Sequence, residues 1–127
     1  MPVLLTKKFR FEAAHWLPNM PEGHKCRRLH GHSFVFEVNV LGEIDPQSGL
    51  LMDFGDIKKV VKPYLDMLDH WCLNEIGDRE NEPLLQNPTS ENLAKWMYHE
   101  LENKLPGLYS IVFRETCTTR CEYRPSF

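Results

Sequence analysis

The chain has 127 residues, with 15 Lys and Arg against 18 Asp and Glu, a net charge of −3 and four cysteines. One domain over residues 1–127 is expected, and 42% apolar with 26% charged residues excludes a disordered chain. The acidic balance excludes a protein whose main task is to neutralise nucleic-acid phosphates, and no apolar run approaches the ~18 residues of a membrane span.

The first residues, Met1-Pro2-Val3-Leu4-Leu5-Thr6-Lys7-Lys8, lack the charged-then-apolar layout of a secretory signal. A cytoplasmic location is therefore expected, where cysteines serve as thiols or ligands rather than bridges. From Val3 to His15, Phe9, Phe11, Ala13 and His15 alternate with Lys8, Arg10 and Glu12, which predicts a half-buried strand. A loop containing Pro and Gly follows. His30, His32, Phe34, Phe36, Val38 and Val40 then alternate along a second strand, His30 to Glu43.

Asp53 is a candidate N-cap for a helix carrying Phe54, Ile57, Val60, Val61, Tyr64 and Leu68, which Pro63 should kink or interrupt. A polar stretch, Gly77 to Asn87, separates it from a second helix that starts at Pro88-Thr89-Ser90-Glu91 and presents Leu93, Trp96, Met97, Leu101 and Leu105. Tyr109, Ile111, Phe113 and Glu115 alternate as a third strand, and Cys121 to Arg124 suits a short fourth. The order ββααββ predicts an α+β fold, a four-stranded antiparallel sheet with two helices on one face. Its open edges favour closure by oligomerisation.

His30-Gly31-His32 is the sharpest local feature, because residues i and i+2 of a strand point to one face. His15 ends the neighbouring strand, and three imidazoles with one open position are what a catalytic zinc uses. Gly31 between them leaves room for a ligand or another backbone to come close. Cys26, flanked by Lys25, Arg27 and Arg28, sits where thiolates form. It can be a base or nucleophile, a fourth ligand that closes a structural zinc site, or a plain loop thiol. Asp69-His70 pairs a carboxylate with an imidazole, and needs a helix end for the two to cooperate. Glu115, on an otherwise apolar strand face, calls for a partner such as a guanidine-like ring edge or a basic side chain. His24 reads as a loop histidine and His99 as a solvated helix position.

Phe11-Glu12-Ala13-Ala14-His15, Glu22-Gly23-His24-Lys25-Cys26, Cys26-Arg27-Arg28-Leu29-His30-Gly31-His32, Met52-Asp53-Phe54, Leu68-Asp69-His70, Asn87-Pro88-Thr89-Ser90-Glu91 and Glu115-Thr116 resemble the 6-pyruvoyl-tetrahydropterin synthase superfamily, in the family's order. The C-x3-H-G-H spacing, followed by Ser33, is most similar to the branch that forms 6-carboxy-tetrahydropterin. The resemblance implies a tunnelling fold (T-fold) whose sheets close a barrel in trimers, two of which stack as a homohexamer. It implies one Zn2+ per subunit on His15, His30 and His32, with Cys26, Asp69, His70 and Glu115 as catalytic groups. Glu115 is also expected to anchor the pterin, with Thr89 and Ser90 near the ring and Lys25, Arg27 and Arg28 as candidates for a triphosphate. The implied reaction turns 7,8-dihydroneopterin triphosphate into 6-carboxy-5,6,7,8-tetrahydropterin, releasing acetaldehyde and triphosphate, toward queuosine and other 7-deazapurines. A 6-pyruvoyl product and a non-catalytic zinc module are the alternative readings.

Overall fold

The alternation along Pro2–His15 (β1) and His30–Glu43 (β2) produces two long strands, paired antiparallel from Pro2↔Glu43 to His15↔His30. The computed structural model describes residues 2–127. Odd residues of β1 and even residues of β2 share one face. On it Phe9 stacks on Phe36 at 5.2 Å and Phe11 on Phe34 at 5.1 Å between ring centroids. Each buried Phe contributes about 1.5–3 kcal/mol by leaving water.

The first helix, α1 (Phe54–Leu68), begins where Asp53 Oδ1 accepts the Gly55 N–H. It buries Ile57, Val61, Tyr64 and Leu68. It runs through Pro63 without interruption. Pro63 is exposed, so the carbonyl that lacks its usual donor there can turn to water. The helix α4 (Ser90–Leu101) starts under Thr89, whose Oγ1 accepts the Asn92 N–H, and buries Leu93, Ala94, Trp96, Met97 and Leu101. Strands β4 (Leu108–Arg114) and β5 (Cys121–Tyr123) complete the far side of the sheet. One core holds the aromatic face of the sheet and the apolar stripes of the helices.

Two features correct the expected architecture. The sheet has five strands in the order β3-β1-β2-β4-β5, because Trp71–Cys72 (β3) pairs parallel to β1 at Ala13 and Ala14. The sheet is therefore mixed. Two more helices, α2 (Leu73–Glu80) and α3 (Pro83–Gln86), reach into the polar stretch expected to be a loop, so the described residues form four α-helices instead of two. They pack so closely that a Cβ on Gly77 would lie 2.4 Å from the Gln86 nitrogen. A two-residue strand has no periodicity to read, and α2 and α3 offer too few apolar positions for a stripe.

Candidate active site

The β1–β2 ladder ends in imidazoles where its earlier steps carry phenyl rings. His15 is fully buried, with Phe34 edge-on at 5.2 Å beneath it. His30 is its cross-strand partner, and His32 faces the small Ala13, which leaves its ring room beside the other two. Ring centroids lie 4.6 Å (His15–His30), 4.9 Å (His30–His32) and 5.2 Å (His15–His32) apart. One ligand nitrogen from each falls within 4.8 Å of the others.

The outer nitrogens are tied to backbone. His15 Nδ1 is 2.8 Å from the Pro88 carbonyl and His30 Nδ1 is 2.7 Å from the Arg28 carbonyl. A carbonyl only accepts, so both Nδ1 atoms are the donors, which leaves Nε2 as the atom of each ring that can ligate a metal. Among the described residues, His15 Nε2 is one of two buried side-chain polar atoms without a partner. Burial holds the His15 imidazole below its ordinary value, against the raising effects of the Pro88 carbonyl and Glu115. A buried, neutral, unpartnered nitrogen converging with two other imidazoles fits a divalent metal ligand set.

Cys26, half-buried, sits in a 3-10 turn, Lys25–Arg27, whose cap is His24: the imidazole Nδ1 accepts the Cys26 N–H at 3.1 Å. The Cys26 carbonyl accepts from Leu17 N–H at 2.7 Å, which pins the turn against the end of β1. Cys26 lines a cavity of 650 Å³ together with His30, His32, Glu115, Lys25 and Arg28. Arg27 donates instead to the Met20 carbonyl at 3.3 Å. All four cysteines are free thiols, and burial pushes the Cys121 thiol up.

Glu115 follows the last residue of β4. Its Oε1 accepts from Ser90 Oγ at 2.8 Å, and its Oε2 lies 3.8 Å from His32 Nε2. It also borders a second cavity, of 330 Å³, which Thr89, Ser90 and Arg120 line at the start of α4. The carboxylate thus stands between the histidine cluster and this recess, while the Thr89 oxygen is occupied as the helix cap.

Asp69 and His70 are brought together by the way α1 stops. Asp69 Oδ1 accepts the Glu12 N–H at 2.8 Å, and His70 N–H donates to the Glu12 carbonyl. His70 takes a left-handed φ of 64°, an uncommon conformation outside glycine. The turn sets its Nδ1 3.0 Å from Asp69 Oδ2, with the imidazole largely exposed. The Glu12 N–H, then His70, hold the Asp69 carboxyl below the usual range. His70 lines a third cavity, of 560 Å³, with Trp71 and Cys72. Cys26 and His70 therefore open on separate cavities, which Gly31 and His32 both border. A Cβ on Gly31 would meet only the Ala13 carbonyl, at an ordinary 3.6 Å, so packing within the chain does not require glycine there.

Sequence reasoning passed over Asn74, which looks like an ordinary polar residue in sequence and owes its importance to backbone it meets only after folding. It read His24 as a loop position, whereas the imidazole caps the Cys26 turn through a donor only two residues away.

Residues 4–126 match the family described as 6-pyruvoyl tetrahydropterin synthase. The chain is 42% identical over 127 residues to a 6-carboxy-5,6,7,8-tetrahydropterin synthase of Synechocystis sp., covering 94% of this chain and 92% of that one. It is 41% identical over 97 residues to a dihydroneopterin monophosphate aldolase of Pyrococcus furiosus, covering 76% and 73%. Its fold superposes on the structure of Caenorhabditis elegans 6-pyruvoyl tetrahydropterin synthase with a TM-score of 0.85 at 28% identity, covering 98% of this chain and 96% of that one.

Proposed function

We propose that this chain, which belongs to the 6-pyruvoyl tetrahydropterin synthase family, is a zinc-dependent lyase that forms 6-carboxy-5,6,7,8-tetrahydropterin from 7,8-dihydroneopterin triphosphate and water, with release of acetaldehyde and triphosphate. The observation that carries this reading is the convergence of His15, His30 and His32 beside a cavity that also holds Cys26 and Glu115. The relative of that name in Synechocystis sp. supports the choice of product.

His15, His30 and His32 would hold the zinc, which as a Lewis acid polarises the hydroxyls of the substrate side chain. Cys26 Sγ takes a proton from a side-chain carbon. His70, held by Asp69, moves protons on the opposite side of the substrate. Glu115 accepts the amino and N–H donors of the pterin edge, a match of two parallel hydrogen bonds to one carboxylate. Ser90 fixes that carboxylate's orientation from the start of α4. Lys25 and Arg28, in the cavity with Cys26, meet the triphosphate, and Arg27, between them in sequence, donates to the Met20 carbonyl.

Cys26 and His70 are taken to meet across a subunit boundary. Their separate cavities support this, as does the short β3, which leaves most of the outer edge of β1 unpaired within the chain. The assembly proposed is a hexamer of two stacked trimeric rings in the cytoplasm, with the product passing toward queuosine and related 7-deazapurines.

The test is incubation of zinc-loaded protein with 7,8-dihydroneopterin triphosphate, following acetaldehyde and the pterin product. Acetaldehyde in step with substrate loss is expected. Triphosphate release without acetaldehyde would indicate the 6-pyruvoyl product instead, the activity named for the Caenorhabditis elegans neighbour. Turnover of dihydroneopterin monophosphate alone would place the chain with the Pyrococcus furiosus relative.

A further inference from the structure

We propose that Asn74 is the positioning residue that sets His15 for metal binding, an inference that rests on the metal-site reading above. Asn74 lies in the first turn of α2 and is only 2% exposed. Its Oδ1 accepts the Trp16 N–H at 3.0 Å, and its Nδ2 donates to the Trp16 carbonyl at 2.8 Å. A side-chain amide here does what a neighbouring peptide would do. Strand β3 pairs with β1 at Ala13 and Ala14 and then turns into α2, so the paired register on this side ends at Ala14. The Asn74 amide carries the ladder on to Trp16, the residue after His15.

The same Nδ2 also reaches the Gln86 carbonyl, at 3.4 Å. Two residues beyond Gln86 is Pro88, whose carbonyl receives His15 Nδ1 at 2.8 Å. One buried side chain thus ties together the backbone that carries His15 and the loop that orients its ring. The buried His15 Nε2, without a partner among the described residues, is what this arrangement holds toward His30 and His32. Outer partners of metal-binding histidines work in this way, by fixing tautomer and ring direction. An Asn is suited to the task because only an amide offers an acceptor and two donors in one plane.

The test is the zinc affinity of Asn74→Ala, measured by competition with a chromophoric chelator, with the visible spectrum of the Co2+-loaded protein as a second readout. Affinity is expected to fall about 10-fold, the low end of the scale for a group bonded directly to a metal ligand, because Asn74 acts through Trp16 and the Pro88 loop, with a changed Co2+ spectrum. Leu73→Ala serves as the control: it is in the same helix turn and fully buried, but its apolar side chain offers no hydrogen bond to the Trp16 backbone. It should lower the stability of the metal-free protein and leave zinc affinity and the Co2+ spectrum at the parent's values. Equal losses of affinity in both variants would reduce Asn74 to a packing role and overturn the proposal.

If Asn74→Ala does not fold, Asn74→Asp keeps the acceptor for Trp16 N–H, loses both donors, and should still weaken zinc. Parent-like affinity in that variant counts equally against the proposal. In the parent, zinc should slow hydrogen exchange at Trp16 more than at Val40, because coupling between two events is reciprocal. A parent that takes up no zinc overturns the site reading and this inference together. A zinc-binding parent with an equally tight Asn74 variant overturns the inference alone.

Discussion

His15 and His30 are direct cross-strand partners at the last step of the β1–β2 ladder, with ring centroids 4.6 Å apart. The register that stacks Phe11 on Phe34 two steps earlier also fixes this pair. The apolar packing of the hairpin therefore builds the metal site. His30→Ala and His32→Ala should each lose most bound zinc, as read by elemental analysis after dialysis, and lose activity with it. A double variant that keeps a full complement of zinc would rule the site out.

Cys26→Ala should separate chemistry from metal binding. The group that could hold a metal comprises three histidines and does not include Cys26. About one zinc per chain should remain, while turnover falls by roughly 10²-fold or more, the scale of a lost acid–base group. Loss of zinc together with activity would return Cys26 to the role of a fourth ligand in a structural site.

Glu115→Gln keeps the shape of the side chain and removes its charge. Pterin binding should weaken by about 10-fold or more, in line with the ~1.5–3 kcal/mol of a hydrogen bond to a charged group, with zinc content unchanged. Titration of a pterin analogue, followed by fluorescence, measures this. Parent-like affinity would move the anchor elsewhere.

Part of the pH dependence of the metal-free protein follows from His15. Burial places its folded-state value below its ordinary 6.5. As pH falls through 6.5 the unfolded chain takes up the proton first, so stability is full above that pH and declines below it. The urea midpoint should be lower at pH 5.5 than at pH 7.5, and His15→Gln should flatten part of that slope. An identical slope in parent and variant would exclude His15 as the cause. Asp69, held low by the Glu12 N–H, acts in a lower window: its contribution persists above 3.8 and is lost only as pH falls through its depressed folded value.

Subunit mixing tests whether sites are shared. Cys26→Ala and His70→Ala should each be nearly inactive. Refolded together, they should regain part of the parent activity, because some shared sites receive both intact groups. If mixed assemblies demonstrably form and activity stays at the level of the separate variants, both groups serve a site within one chain.

Sequence alone placed much of this site because the signals involved are local. Side-chain alternation depends only on the pleat of a strand, so it put His15, His30 and His32 on one face with Phe9, Phe11, Phe34 and Phe36. The cap at Asp53 was legible for the same reason, since its oxygen bonds a backbone N–H two residues on. Tertiary structure decided the rest. Trp71–Cys72 is too short to show a period, and becomes a strand only because β1 offers an edge at Ala13 and Ala14. The left-handed turn at His70 exists where Glu12 supplies a donor and an acceptor to residues 57 or more positions away in the chain. Arg27 and Arg28 are neighbours in sequence, yet one turns to the Met20 carbonyl and the other lines the cavity. Asn74 meets Trp16 across 58 residues. Periodicity and capping are set by near neighbours and can be read along the chain, whereas a hydrogen-bond partner brought in by folding leaves no mark on the residues beside it.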